Sequence, residues 1–565
     1  MLTALLSHTA FREMIADFVL FACLTFAWYF PRIGNGLFHR LEVLGSRLAH
    51  HQRLVIVAIA ALTIVLRLSR LWILPVPIPV IQDEFSYLLA ADTFAHGRLT
   101  NPPSPFWIFF DEVHVNQLPT YMSKYPPAQG AILAIGQLLG HPFIGVVLSA
   151  AIMCAAILWM LQGWLPPEWA LLGGTLVLLR LGIFTYWIDS YWGGAVTAIG
   201  GALVLGTLPR ILHFQRPRDA VLLALGAAIL LNSRPFEGAI LCLPVAVVLL
   251  VWLCGRCRPP WRAVLPRVVA PLLAVAVPCA LFVLYYNWRL TGNALLFPYL
   301  LNDRLYFRTP DFIWSKAMPP LHYANAQFEA FYNGWSRNYW LANRMDTFPH
   351  LLRHLAMVTA KFVYFFLWPE LCVPLLALPW LLRDRRVRLV VFEAVFCFLA
   401  LLPVVWFEPH YAAPAVAAVF AVVTQGLRHL RRWKVDGRPV GIGLSRVVVL
   451  AAVILAPLHQ RAGTFSPTAN AATPRITYRA QFAARLNSLP GQHLVIVRYG
   501  PVSTEAGEWI YNGADRDRAK IVWARDIPGL DIGPLLRHFS GRRVWLAEPD
   551  AAIPRLGPYL VDAKP

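Results

Sequence analysis

Charge is scarce in this chain. Of its 565 residues only 14% are Asp, Glu, Lys or Arg, where an ordinary soluble protein carries roughly a quarter. Acidic residues are the scarcer half, 30 against 50 basic. Hydrophobic residues make up 58%, and mean hydropathy is +0.54. With long apolar runs recurring from end to end, this excludes a soluble globular or disordered chain and reads as a polytopic membrane protein. No cleavable leader is expected either: the first apolar run, 14–30, has no small-residue cleavage site and follows the mixed-charge stretch "FREMIAD". There is no internal repeat of 20–50 residues and no low-complexity tract. The sixteen histidines are scattered, with no H-x-x-x-H beside an acid, so no metal motif stands out. The eight cysteines all fall in apolar spans or in a basic loop, so no disulfide is expected. Cys254 and Cys257 form a lone C-x-x-C, "CGRC", too little for metal or redox chemistry.

The net charge of +20 could suggest a nucleic-acid partner, but its placement excludes that reading. Basic residues gather in short links: 32–53, 209–219, 255–267, 383–388 and 428–446. That is the pattern of cytoplasmic loops. Apolar spans fit between them at about 54–76, 142–161, 169–187, 193–208, 220–234, 237–254, 268–286, 356–381, 389–407, 410–427 and 447–458. With 14–30, which either spans or lies flat at the interface, the count is 11–12. Residues 1–53 are then an apolar helix with a basic cytoplasmic linker, and 54–458 a transmembrane core with extracytoplasmic loops 77–141 and 287–352. The tail 459–565 alternates helical patterns with strand-like runs, "QHLVIVRYG", "AKIVWARDI" and "RRVWLAEPD", and reads as a small extracytoplasmic α/β domain. It has no Gly-rich phosphate loop and no nucleophile motif.

Polar residues on the outer side are few and concentrated. "VPIPVIQDEFSYLLAADTF" (76–94) places Asp83 and Glu84 side by side at the start of a helix. Phe85, Leu88, Leu89 and Phe94 would lie on the membrane, with Asp83, Glu84 and Asp92 facing water. The pair is either a helix start, with Asp83 as N-cap and Glu84 on the dipole, or a catalytic carboxylate at the mouth of the bundle. In "LPTYMSKYPPAQGAIL", Pro126 and Pro127 suit a first helical turn. Lys124 just before it faces a dipole that disfavours a cation, a conflict that a bound anion such as a lipid phosphate resolves. The alternative is a lysine reaching to lipid headgroups.

"DEFSY" after the first core span, followed about forty residues later by "SKYPP", resembles the GT-C superfamily of membrane glycosyltransferases, in its protein O-mannosyltransferase-like and aminoarabinose-transferase-like branches. The resemblance covers roughly residues 54–430 and excludes the tail. It implies a GT-C-like fold and a polyprenyl-phosphate sugar donor used outside the cytoplasmic (inner or plasma) membrane. It also implies an acidic base at Asp83, with Glu84 sharing or positioning it, and a donor-phosphate ligand at Lys124. The chemistry agrees: glycosyl transfer from a phosphate ester needs a base for the acceptor hydroxyl and a cation for the departing phosphate. A single displacement inverts the anomeric centre. Asp83 and Glu84, about 100° apart on one helix, cannot both flank one bond as in glycoside hydrolases.

Four further outer segments carry candidates. "TYWIDSYWGGA" sets Asp189 among Tyr186, Trp187, Tyr191 and Trp192, as a second acid for acceptor or sugar, or as part of an interfacial aromatic belt. "NSRPFEG" offers Arg234 as a second phosphate ligand or as the ion-pair partner of Glu237. "WFEPHYAAP" offers Glu408, His410 and Tyr411, a His-Tyr pair comparable to one in many relatives, for donor phosphate or sugar, or a turn set by Pro409. The aromatic and amide-rich loop 287–352, with Tyr332, Asn333, Trp335 and Arg337, suits an acceptor or a helix in the interface. The expected sugar and acceptor contacts are thus Asp189, Tyr87, Tyr125, Glu237, Tyr411 and Trp335. The acceptor is a lipid, glycan or protein. No cofactor is implied beyond a divalent ion that Asp83 and Glu84 could hold with a phosphate. The rival classes are a transporter or lipid flippase, which should show paired halves with broken helices, and a non-catalytic assembly protein working through its tail.

Overall fold

The computed structural model describes residues 2–255, 259–316, 318–461, 473–500 and 508–560. Proline sets many of the helix starts. It occupies the first turn of α5 (Pro127–Leu138), α6 (Pro142–Trp164), α7 (Pro167–Leu181), α10 (Pro217–Leu231) and α11 (Pro235–Cys254), where its missing N–H would have no intrahelical partner anyway. These follow α1 (Leu2–Tyr29), α2 (Asn35–His50), α3 (Gln52–Leu68) and α4 (Gln82–Ala95); between α7 and α10 come the one-turn α8 (Tyr186–Asp189) and α9 (Ala195–Phe214).

Among the described residues, six helices are long and apolar enough to cross a membrane: α6, α9, α11, Trp261–Thr291, Phe348–Arg383 and Pro409–Leu430. The bent pair α2–α3 adds a seventh if it counts as one span. The count of 11–12 expected from the sequence is therefore not reached by length and composition. The spans expected at 169–187, 220–234 and 389–407 are helices of 15, 15 and 14 residues, short of the ~20 that a bilayer core needs. The span expected at 54–76 ends at Leu68 and meets α2 at 107° across His51. Cys257 lies outside the described residues.

The core centres on α9, which packs against α6 and against α10 and is closed by Pro409–Leu430. Glycine permits its tightest approach. A Cβ on Gly201 of α9 would sit 1.9 Å from the Pro414 carbonyl oxygen, so the 409–415 turn rests directly on the α9 backbone.

The basic links meet one another at one end of the bundle. Arg431 and Arg446 reach Glu42 at 2.8 and 3.4 Å, His429 lies 3.1 Å from Asp384, and the Ser46 hydroxyl donates to Glu168 at 3.3 Å. The loop 77–141 packs instead with 287–347 and with the C-terminal domain. Within it, β1 (Val115–Asn116) and β2 (Met122–Ser123) form an antiparallel hairpin, Val115 opposite Ser123. Helix α4 does not lie on the membrane surface as its spacing suggested. Ten of its fourteen residues are buried, because α5 packs on it and the C-terminal domain covers its start.

That domain follows the expected alternation. β3 (His493–Val497), β4 (Ile521–Arg525) and β5 (Arg543–Glu548) are parallel in the order β4-β3-β5, with β6 (Arg555–Pro558) antiparallel on β5. Helices Thr473–Ser488 and Gly533–His538 flank them. Its docking on loop 77–141 is dense. Phe85 stacks on Tyr511 with centroids 4.9 Å apart. The Arg516 guanidinium is sandwiched between Phe110 and Tyr121 at 4.1 and 4.0 Å. The Ala514 amide donates to Asp92 at 2.6 Å. Buried Arg525 donates to Glu508, to the Asp111 carbonyl and to Gln327, at 2.8, 3.0 and 2.8 Å.

Candidate active site

The start of α4 separates its two acids. Ile81, extended, caps the helix, and Glu84 at the third position reaches back. One carboxylate oxygen accepts from the Val80 and Ile81 amides at 2.8 and 3.2 Å, and the other from the Tyr191 amide at 3.0 Å. Burial pushes this carboxyl up to about 7 even with three amide donors on it. Glu84 is thus a backbone tie between α4 and the 186–194 turn, not a second group beside a reacting bond. It also leaves a divalent ion only Asp83 of the pair; among the described residues no cluster of three or more His, Cys, Asp or Glu could hold a metal.

Asp83, turned the other way, is part-exposed, at 24% of its side chain. The Tyr125 hydroxyl donates to one of its oxygens, and His114 Nε2 stands 4.0 Å from the other. The Tyr125 ring stacks on Tyr87 at 4.4 Å. Burial, then the Asp83 charge, hold the Tyr125 phenol well above its usual range, so it stays a donor. Lys124 is the adjacent residue. Its Nζ lies 5.4 Å from the centroid of the Tyr125 ring and 5.9 Å from that of Phe307. Among the described residues it has no carboxylate within ion-pair distance. Asp303 and Asp311 are near enough to feel its charge: burial pushes Asp303 up to about 6, against the pull of Lys124. Two prolines follow, Pro126 as N-cap and Pro127 as first residue of α5, so Lys124 does precede a helix N-terminus.

The next wall comes from two inter-helix turns. The Arg234 guanidinium lies 4.0 Å from the centroid of the Tyr411 ring and 3.8 Å from Glu237. Tyr87 lies within electrostatic reach of Arg234, Asp83 and Glu237 at once. His410 is buried, its Nδ1 2.8 Å from the Tyr186 hydroxyl and its ring 4.6 Å from that of Trp192. Glu408 pairs with Lys361 at 2.6 Å. Asp83, Tyr87, Tyr125, Arg234, Glu237 and Tyr411 therefore form one cluster, with Lys124 and His410 at its two sides.

Comparison with known proteins finds no matching protein-family model and no matching curated protein. Among solved structures the chain is similar to ArnT from Cupriavidus metallidurans in the apo state, at 12% identity and a TM-score of 0.46, over 89% of this chain and 93% of that one. The same protein bound to undecaprenyl phosphate is matched at 13% identity and 0.46, over 88% and 92%. The oligosaccharyltransferase of Archaeoglobus fulgidus, in a complex with zinc and sulfate, is matched at 12% identity and 0.46, over 78% of this chain and 60% of that one; this chain thus spans less than two thirds of its length.

Two expected contacts stand apart. Asp189 is engaged by Arg67 at 2.8 Å, with the arginine side chain 1% exposed. Trp335 belongs to an aromatic stack with Phe331 and Tyr339 at 5.4 and 5.8 Å, reached from the cluster through the Phe331–His114 edge contact. Beside it, Tyr332 is buried, and Asn333 and Arg337 donate to the carbonyls of Leu321 and Met318. Three residues escaped the sequence reading. Arg67, with Arg70 three residues on, and Lys361 are charges in apolar runs, "TIVLRLSR" and "TAKFVYFF", which is itself a signal of function or pairing. His114 carried no such signal; it stands in "DEVHVN", between two acids and the start of β1.

Proposed function

We propose that this protein is a membrane glycosyltransferase that moves a sugar from a polyprenyl-phosphate donor to an extracytoplasmic acceptor, with inversion. The observation that carries the reading is the sharing of one tyrosine: Tyr125 donates its hydroxyl to Asp83 while its ring lies beside the Lys124 ammonium, which has no ion-pair partner among the described residues. The proposed base and the proposed anion ligand, 41 residues apart in sequence, thus lie about a single ring. In the proposed reaction Asp83 removes the acceptor proton, and the hydroxyl oxygen attacks the anomeric carbon as the C–O bond to phosphate breaks. Lys124, aided by Arg234 from the opposite wall, neutralises the departing phosphate. Tyr87, Tyr125 and Tyr411 supply ring faces for the sugar, and Glu237 an acceptor for its hydroxyls. His410 braces the far wall through Tyr186. The donor's polyprenyl tail lies in the bilayer, and a lipid, glycan or protein acceptor enters from the loop side. That side is extracytoplasmic in a plasma or inner membrane, because the arginine-rich links gather at the other end.

The test is transfer from radiolabelled sugars carried on undecaprenyl phosphate, in membranes holding the full chain. Asp83→Asn should lose at least a hundredfold in rate, within the range of general-base contributions. Lys124→Ala should lose a similar factor. Undiminished transfer in both variants would remove the mechanism, and solute uptake without transfer would favour a transporter.

A further inference from the structure

His114 is bound to both halves of the proposed machinery by observations that do not depend on one another. Its backbone is left-handed, φ 66°, a conformation uncommon outside glycine and held only where surrounding contacts fix it. The His114 carbonyl accepts from the Ser86 hydroxyl of α4 at 2.7 Å and from the Lys124 amide at 3.2 Å. One peptide group therefore ties the helix that carries Asp83 to Lys124, the residue that follows β2. The side chain, 13% exposed, turns towards Asp83, its Nε2 4.0 Å from the carboxylate oxygen that Tyr125 does not occupy. Its ring is wedged edge-on against Tyr125 and Phe331, at 5.9 and 5.7 Å.

We infer that His114 is a positioning residue for the proposed base: a neutral imidazole whose Nε2–H closes onto the free oxygen of Asp83 and, opposite the Tyr125 hydroxyl, fixes the plane of that carboxylate. The inference rests on the glycosyltransferase reading. The tautomer follows from burial. Nδ1 is buried without a hydrogen-bond partner among the described residues. A buried N–H without an acceptor is rarer, and costs more, than a lone pair without a donor, so the proton belongs on Nε2. Protonation of both nitrogens is opposed: burial first, and then the Lys124 ammonium, hold the imidazole well below its usual range. The charged and titratable groups facing this ring and carboxylate are Lys124 and Tyr125 from the hairpin side, Tyr87 and Glu84 from α4, and Glu408 from the 402–409 turn. None of them is a second donor to that oxygen among the described residues. A shift of about 1 Å converts the 4.0 Å approach into a charge-assisted hydrogen bond, within the tightening that occurs when substrate binds.

A donor on a carboxylate favours its charged form. Removing it should therefore move the acid limb of the pH–rate profile for transfer upward, while a substitute donor should restore it. The variants are His114→Phe and His114→Gln in the full chain, assayed for transfer from undecaprenyl-phosphate sugars between pH 5 and 8, with thermal melts run alongside. His114→Phe should raise the acid limb by about one pH unit, the effect of one hydrogen bond to a charged group. It should also lower kcat more than tenfold with KM for the donor little changed. His114→Gln should return most of the acid-limb shift. Should His114→Phe fail to accumulate, His114→Gln against wild type still decides: an acid limb shifted as far as one unit, despite the retained N–H, overturns the inference. So does a His114→Phe profile that falls uniformly in parallel with a lowered melting temperature, since that is loss of packing alone. Asp83→Asn in the same series separates the two levels. Full transfer by Asp83→Asn ends the glycosyltransferase mechanism. Loss of transfer there, with an unmoved acid limb in both His114 variants, ends only the role of His114.

Discussion

Replacing Arg525 with methionine tests the claim that the C-terminal domain is fixed on the loop bearing the candidate base. Arg525 is fully buried, and Glu508, its ion-pair partner, is 5% exposed. Removing one member of such a pair leaves an uncompensated charge and costs about 3–5 kcal/mol. The Asp111 carbonyl and the Gln327 side chain also lose their donor, at about 1 kcal/mol each. Not all of this appears as undocking, because Phe85, Arg516 and Ala514 still bind the loop. Arg525 and Glu508 both belong to the C-terminal domain, so the orphaned Glu508 carboxylate favours opening through the water it gains when the domain lifts off; at ~1.4 kcal/mol per factor of ten, full relief raises the opened population by roughly 10²–10³·⁵. Hydrogen exchange read by mass spectrometry on the detergent-solubilised chain should show amides of β3, β4 and residues 106–117 exchanging at least a hundredfold faster. Amides of α6 and α9 should not change. The double variant Arg525→Met with Glu508→Leu should recover most of the protection, since it removes the orphaned carboxylate as well. A change under tenfold in the single variant, or a double variant no better than the single, would refute the reasoning.

Three other outcomes are expected. Asp189→Ala should cost about 3–5 kcal/mol in thermal or denaturant unfolding, because Arg67 is left charged and 1% exposed; Arg67→Leu with Asp189→Leu should be closer to wild type. Gly201→Ala should abolish accumulation of folded protein or displace the 409–415 turn, since its Cβ would fall 1.9 Å from a backbone oxygen that cannot swing away; size-exclusion profiles and the reactivity of a cysteine placed at 412 would report it. Stability should decline as pH rises between about 4.5 and 8. Glu84 is pushed from 4.5 up to about 7 by burial, so its contribution is whole below the unfolded value and lost as pH passes the folded one. The loss is about 3 kcal/mol at ~1.4 kcal/mol per unit, and thermal melts should show it in wild type and not in Glu84→Gln.

The parts of the fold that were legible in sequence were those with strong local signals. The proline pair at 126–127 marked the start of α5, β-branched runs marked β3, β4 and β5, and arginine-rich links marked one end of the bundle. The placement of α4 was misread because its spacing looks the same whether its apolar face meets lipid or protein; only the docking of the distant 508–514 segment decides that. The place of Glu84 stayed open between two readings for a related reason. A carboxylate that accepts amides from its own chain start and from residue 191 is indistinguishable in sequence from one that faces substrate. The adjacency of Asp83 and Lys124 was inferred from motif resemblance, whereas the third member, His114, depends on a hairpin whose register no local pattern announces. β6 was missed because "RLGP" has neither alternation nor length.

The contact of Phe85 with Tyr511 has a consequence for biogenesis. During synthesis the first helix of the cluster is made more than four hundred residues before the segment that covers its start. Until that segment emerges and crosses to the same side, Phe85 and Val80 present an uncovered greasy face, and Asp92 lacks the Ala514 amide. Nascent or nonsense-truncated chains should therefore be inserted yet unfinished, and any chaperone or protease that surveys this membrane has a defined place at which to hold or remove them.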